Sequence, residues 1–145
     1  MTITGDLQIM ADALGHPVAD RRVLDVFTVV GLPEARSEYQ EGGVKTTYYI
    51  ADQQLAEFIF RDDLLDAVIV HTQAGDGHGA YPAPASLVDG LAGDAERDAV
   101  LARFGEPVSR RKTSDRFEVD GGFVRFGYVE DRVADISLMR RAPGS

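Results

Sequence analysis

Two segments decide the fold: Asp20–Pro33, DRRVLDVFTVVGLP, and Asp94–Pro107, DAERDAVLARFGEP. Each opens on an aspartate, runs through ten helix-compatible residues and stops at Gly-x-Pro. An aspartate at this position accepts a hydrogen bond from the free backbone N–H groups of a first helical turn. Glycine takes the left-handed conformation that closes a helix, and proline, lacking an N–H, prevents continuation. The spacing therefore predicts helices over 21–30 and 95–104. Val23, Val26, Phe27 and Val30 fall on one side of the first, and Val100, Leu101 and Phe104 on one side of the second. Arg97 stands where the first copy has Val23, so the second helix should bury a narrower stripe.

The match continues downstream. Residues 48–70 run beside residues 116–138, with Tyr49 and Phe117, Asp52 and Asp120, Leu55 and Phe123, Phe58 and Phe126, Phe60 and Tyr128, Asp63 and Asp131, Leu65 and Val133, Val68 and Ile136, and Val70 and Leu138 each 68 positions apart. Alternation such as Arg125 out, Phe126 in, Gly127 out, Tyr128 in marks a sheet with one covered face, and an amphipathic helix is its natural cover. The expected fold is α+β: two tandem repeats, each a helix followed by a three-stranded antiparallel β-meander, with turns at Asp52-Gln53-Gln54 or Asp120-Gly121-Gly122 and at Asp62-Asp63 or Glu130-Asp131. The helices repeat at 74 residues and the strands at 68, so the first copy carries six more residues around Ser37–Thr46, expected as an exposed loop. A short helix over 6–14 is predicted from Leu7, Met10 and Leu14, ended by Gly15-His16-Pro17. The units divide as 1–73, 74–90 and 91–140. The middle stretch, rich in Gly, Ala and Pro, reads as a linker without a core of its own, and Arg141–Ser145 as a loose tail.

Bulk composition restricts function. The chain has 145 residues, 44% of them apolar, enough for one core and too short for two average domains. No apolar run approaches a membrane span, and Asp6 and Asp12 stand where a signal peptide would be basic and then apolar, so a cytoplasmic protein is expected. The absence of cysteine excludes disulfides, thiolate metal sites, a cysteine nucleophile and a lipoprotein anchor. Net charge is −9; residues 1–73 hold 5 basic and 12 acidic side chains, residues 74–145 hold 10 and 12. Nucleic acid and anionic membranes are disfavoured as partners, and a basic protein is favoured, with the acidic surface in the first half.

The residues that could carry chemistry do not assemble a catalytic pattern. His16 sits in a helix-stop turn, and His71 and His78, with Asp76 between them, offer metal-ligand types in a glycine-rich segment that gives little preorganisation. The carboxylate pairs Asp62-Asp63 and Glu130-Asp131 read as turn residues, and Asp94, Glu96 and Asp98 as a helix start. No serine lies in a Gly-x-Ser-x-Gly elbow, and Gly75–Gly79 is not followed by a helix that could cradle phosphate. Arg110-Arg111-Lys112 reads as a solvated strand edge. Neither enzyme activity nor any metal or cofactor is expected.

The capped helix with Gly-x-Pro, followed by a meander ending Val124-Arg-Phe-Gly-Tyr-Val-Glu-Asp-Arg-Val-Ala-Asp-Ile-Ser-Leu138, resembles the unit shared by SmpA/OmlA-type outer-membrane lipoproteins and, in tandem, by the β-lactamase inhibitory protein. Residues 91–139 carry the likeness best. The lipoproteins' lipobox cysteine and the inhibitor's disulfides have no counterpart here. Leu14-Gly-His-Pro, Val30-Gly-Leu-Pro and Phe104-Gly-Glu-Pro look like cytosolic immunity proteins of bacterial polymorphic toxin systems that use this fold. The resemblance implies a protein-binding module, either an immunity protein that covers a basic toxin domain with an acidic surface or an assembly protein of the lipoprotein kind without its anchor; fold alone does not choose between them. The expected partner-binding residues are Glu38, Tyr39 and Glu41 on the inserted segment, Asp62, Asp63 and Asp66 at the last turn and strand of the first half, and Tyr81 in the linker.

Overall fold

In the computed structural model, which describes residues 3–141, the apolar stripes anticipated on the helices lie against one face of a single sheet. Helix α1 spans Asp6–Ala13, α2 Arg21–Val30 and α3 Arg97–Phe104. Strands β1 (Pro33–Glu41), β2 (Val44–Ala51), β3 (Ala56–Arg61) and β4 (Leu64–His71) precede α3, and β5 (Ser109–Arg111), β6 (Ser114–Val119), β7 (Gly122–Val129) and β8 (Arg132–Met139) follow it. All pair antiparallel into one α+β sheet of order β1-β2-β3-β4-β8-β7-β6-β5. β4 and β8 join at the centre, Val68 opposite Leu138 and Val70 opposite Ile136, leaving β1 and β5 as the two edges.

Helix α2 begins where its sequence says it should. Asp20 accepts from the Arg22 N–H at 2.9 Å and also holds the Arg22 guanidinium, which keeps its carboxyl at about 2, well below the usual carboxylate range. Val23, Val26, Phe27 and Val30 are buried, with Phe27 edge-on to Phe58 at 4.9 Å. In α3 only Val100 and Phe104 are buried, Phe104 packing on Phe117 and Phe126 at 5.2 and 5.1 Å. Burying each such phenylalanine stabilises the fold by roughly 1.5–3 kcal/mol. The core runs through both halves without a break, from Phe58, Phe60 and Val68 to Phe117, Phe126 and Ile136.

Several sequence expectations need correction. Each half has four strands, not three. The segment Ser37–Thr46, expected as a loop, is most of a hairpin: Gly42 and Gly43, both at positive φ, make a two-residue turn between Glu41 and Val44. Helix α3 starts at Arg97 rather than residue 95, and Asp94 is not its cap. The Val133 N–H donates to the Ala95 carbonyl and the Arg97 N–H to that of Asp131, so the approach is held extended against β8 until the helix begins. The turn at Asp52–Gln54 is a short 3-10 stretch, and four residues separate β2 from β3 where two separate β6 from β7. This puts the alignment of Tyr49 with Phe117 two residues out of step: across the strand pair, Tyr49 faces Phe58 and Asp115 faces Phe126.

The linker also belongs to the core. Tyr81, Leu87, Val88 and Leu91 are buried, and the Leu7 N–H of α1 donates to the Leu87 carbonyl at 3.0 Å. Gly5 permits this approach, since a Cβ there would lie 2.6 Å from the carbonyl oxygens of Ser86 and Leu87. Of the expected loose tail, Arg141 pairs with Asp66 at 3.2 Å; residues 142–145 lie outside the described ones.

Candidate protein-binding face

The three helices cover one side of the sheet and leave the other open. Strand register fixes which side chains share that open side. One row runs Ser37, Tyr48, Ile59, Ala67, Met139, Phe123; the next runs Ile50, Glu57, Ile69, Ser137, Arg125, Arg116. The first row is largely apolar and crosses the sheet centre. A bulge at Asp66 in β4, opposite Ile59 and Phe60, and another at Ala134 in β8, opposite Gly127 and Tyr128, keep this alternation in phase with the core face.

At the first-half end, Ser37, Tyr39, Glu41, Thr46, Tyr48, Ile50 and Glu57 line a shallow hollow of about 490 Å³. The Tyr39 ring stands edge-on to Tyr48 at 5.7 Å, and Tyr39 is 59% exposed. Two tyrosines in edge-to-face contact beside two carboxylates supply rigid aromatic area with a negative rim. Across the sheet the open face is mixed in charge, with Arg116 and Glu118 on β6 and with Arg125, which pairs with Asp135 at 3.0 Å. Gly127 makes room for that pair, because a Cβ would lie 2.5 Å from an Asp135 oxygen.

The expected binding residues divide. Tyr39 and Glu41 are on the open face. Glu38 points to the helix side, where the Arg36 guanidinium donates to it at 2.9 Å. Asp62 and Asp63 form a two-residue turn, both at positive φ, and grip Lys45: Asp62 accepts its N–H at 3.0 Å and Asp63 its ammonium at 2.6 Å. That turn and the β1–β2 tip therefore lie at the same end of the sheet, but Lys45 sits between them and offsets part of the negative charge. Asp66 is the extra residue of the β4 bulge, between Leu65 and Ala67, and holds Arg141. Tyr81 offers no surface to a partner: it is 2% exposed, its hydroxyl donates to Asp6 at 2.7 Å, and burial pushes its phenol well up. Tyr48, Ile50 and Glu57 were missed. Their signal was present in the alternation of Thr47, Tyr49 and Ala51 with Tyr48 and Ile50, which puts the second set on the uncovered side. Negative charge crowds the β1 start as well, where Asp52 raises the Glu34 carboxyl above its usual range.

His71 and His78 do come together, their rings stacked at 3.7 Å and 17°. Parallel rings do not point nitrogens at a common ion, and His78 Nδ1 lies 3.0 Å from the Gly79 carbonyl. Among the described residues no group of three or more histidine or carboxylate side chains is placed to hold a metal.

The buried cluster under α3 is the strongest electrostatic feature. Asp115, fully buried, receives two bonds from Arg97, at 2.8 and 3.0 Å, and one from the Tyr128 hydroxyl at 2.9 Å. Arg97 also donates to the carbonyls of Lys112 and Arg111, at 2.8 and 2.7 Å, and lies over the Tyr128 ring. Burial, then the bond to Asp115, raises the Tyr128 phenol. Every strong donor here is matched, so the cluster clasps α3 to β5–β7.

No family model and no curated protein matches the sequence. Among solved structures, a cysteine-rich secretory protein from Staphylococcus aureus is similar at a TM-score of 0.37 and 12% identity, over 88% of this chain and 44% of that one. The chain thus spans less than half the length of that protein. Among the described residues no helix is long and apolar enough to cross a membrane.

Proposed function

We propose that this protein is a non-catalytic binding module made of two tandem helix-and-meander units in the manner of the β-lactamase inhibitory protein, and that it acts in the cytoplasm as an immunity protein, covering a basic toxin domain with its open sheet face. The observation that carries the reading is the uncovered side of the sheet, where Tyr39, Tyr48 and Ile50 lie beside Glu41 and Glu57 in the more acidic half. Aromatic anchors with a charged rim are what a rapid, tight inhibitor needs: the anchors set the dissociation rate and the rim speeds encounter.

Support for the tandem units comes from matched irregularities. The bulges at Asp66 in β4 and Ala134 in β8, the positive-φ pairs Asp62-Asp63 and Glu130-Asp131, and the bridges Pro17–Leu64 and Glu96–Arg132 recur in corresponding places, those in the strands 68 residues apart. Support for a non-catalytic role comes from the titratable groups with chemical promise. Asp115 is fully bonded, Asp62 and Asp63 serve a turn, and the histidines stack on each other.

The test uses the intact protein as bait in extract of its own host. The expected capture is a basic protein that is toxic when expressed alone and harmless when co-expressed with this chain. Tyr39→Ala should weaken that complex about 30-fold, and Glu41→Lys with Glu57→Lys should slow association, both with unchanged melting. A captured partner that is not toxic, or one held by both variants as well as by the wild type, refutes the reading.

A further inference from the structure

The two edges of the sheet are built differently. β5 has three residues, carries Arg110 and Arg111, and runs into a turn whose Arg111 and Lys112 carbonyls are already bonded by Arg97. Short length, positive charge and occupied carbonyls are standard protections against edge-to-edge pairing. β1 has nine residues, and apart from Pro33 and Ser37 all are exposed. A bulge between Pro33 and Ala35 disturbs its start, but from Ala35 to Glu41 the pairing with β2 is regular, so its outer row of backbone donors and acceptors is straight and uncovered.

The side chains of β1 restrict what can pair with it. If a second copy adds antiparallel about a two-fold axis normal to the sheet, both helix layers stay on one side, and open-face residues must meet open-face residues. The axis then passes through a residue, and only a few registers are available. Centred on Arg36, the register opposes Arg36 with itself and Glu34 with Glu38; centred on Glu38, it opposes two glutamates. Centred on Ser37, it sets Arg36 of each copy opposite Glu38 of the other, with Ala35 opposite Tyr39 and Glu34 opposite Gln40. This register has two opposite-charge pairs and no like-charge pair, which is the arrangement that stabilises adjacent strands. Arg36 and Glu38 already meet at 2.9 Å within one chain, on the helix side, so the four side chains need little reorganisation to form a ladder.

We propose that β1 is a self-association edge, through which two copies pair antiparallel along Ala35–Tyr39 about Ser37 and join their eight-stranded sheets into one. The open faces then become continuous across the axis, and the hollows at Tyr39 and Tyr48 of the two copies adjoin. With −9 on each chain the long-range field opposes approach, so association should strengthen as salt rises to about 0.15 M, where the Debye length falls to about 8 Å.

The experiment is sedimentation equilibrium of the protein alone up to about 1 mM, which makes it independent of whether any toxin partner exists. A monomer–dimer equilibrium is expected. Arg36→Glu and Glu38→Arg should each weaken it about tenfold by placing like charges opposite one another, and the double variant R36E/E38R should restore it to within about threefold, because the ladder re-forms with its signs exchanged. Circular dichroism checks that the monomers stay folded, and amide exchange on residues 35–39 should slow as concentration rises. A monomer at every concentration overturns the proposal. So does a dimer indifferent to the single reversals, or a double variant no better than its parents.

Discussion

Tyr49 and Asp115 occupy corresponding places in the two halves, each on the covered face and each directly across a strand pair from a buried phenylalanine, Phe58 or Phe126. What surrounds them is opposite in kind. Tyr49 packs edge-on against Phe60 at 5.3 Å and accepts a long bond, 3.4 Å, from Arg36 on the edge strand. Asp115 bonds Tyr128, which stands 68 residues after Phe60, and is clamped by Arg97 from the first turn of α3. The aromatic solution tolerates partial exposure and leaves β1 free to project past the helices. The ionic solution is closed and ties down the turn behind β5. The uncovered edge of the first half thus lies beside an aromatic cluster, and the sealed edge of the second beside an ionic one.

The largest consequence concerns Arg97. Arg97→Leu leaves Asp115 buried without its counter-charge, and removing one partner of a buried pair costs about 3–5 kcal/mol. Chemical denaturation should report a loss of that size. The triple variant Arg97→Leu, Asp115→Tyr, Tyr128→Phe, which grafts the first half's aromatic arrangement, should recover most of it, since apolar replacements of ion pairs are often neutral. A loss below about 1 kcal/mol for Arg97→Leu would mean that water reaches Asp115 and that the clasp is not closed.

A smaller effect of opposite sign is expected at Thr47. It is 3% exposed, and its Oγ1 has no hydrogen-bond partner, beside a hollow of about 160 Å³ lined by Val18, Tyr49 and Phe60. Thr47→Val keeps the shape and removes an unsatisfied hydroxyl, so stability should rise by up to about 1 kcal/mol. A melting temperature lowered by this change would show that the hydroxyl is bonded in solution, and the contrast between the satisfied Asp115 cluster and the unsatisfied Thr47 hydroxyl would fail.

How far these features were legible in the sequence depends on their range. Local signals were sufficient for the Asp20 cap, the Gly-x-Pro stops, the narrower stripe on α3 and the turn pairs Asp62-Asp63 and Glu130-Asp131. Strands β1 and β5 were not legible, because their exposed edge residues lack the apolar alternation that marks a half-buried strand. The role of Arg97 was hidden for another reason. Read as a helix residue it only broke a stripe, whereas its partner Asp115 lies 18 positions away on β6, and nothing in either neighbourhood pairs them. Tyr81 was placed on the surface because Gly, Ala and Pro around it suggested a linker, yet its hydroxyl finds Asp6, 75 positions away. For the proposed binding face, the charge distribution pointed to the first half, and turn carboxylates were weighed above the strand residues Tyr48, Ile50 and Glu57, which line the same hollow as Tyr39 and Glu41.

The smallest expected effect is a dependence on pH at the junction of the halves, where β4 meets β8. His71 faces Asp135 across that pairing, stacks on His78, and has Glu57 and Asp76 lining the same hollow. Burial, and then the neighbouring His78, lower its pKa below the ordinary 6.5, and Asp135 offsets only part of this. In the unfolded chain His71 takes up a proton as pH falls through about 6.5, while in the fold the proton is resisted. The unfolded state therefore binds more protons in that interval, and stability should drop as pH falls from 7.5 toward 5, levelling once the folded histidine is also protonated. Asp20, with its carboxyl near 2, titrates below this range. The measurement is a comparison: denaturation midpoints of wild type and His71→Phe across the same pH series. Phenylalanine keeps a ring against His78 and removes the titrating group, so the variant should lose part of the slope and hold the segment 75–81 more evenly, with amide exchange there less sensitive to acid. An identical slope in both proteins would place the titration elsewhere and leave the histidine stack a packing contact only.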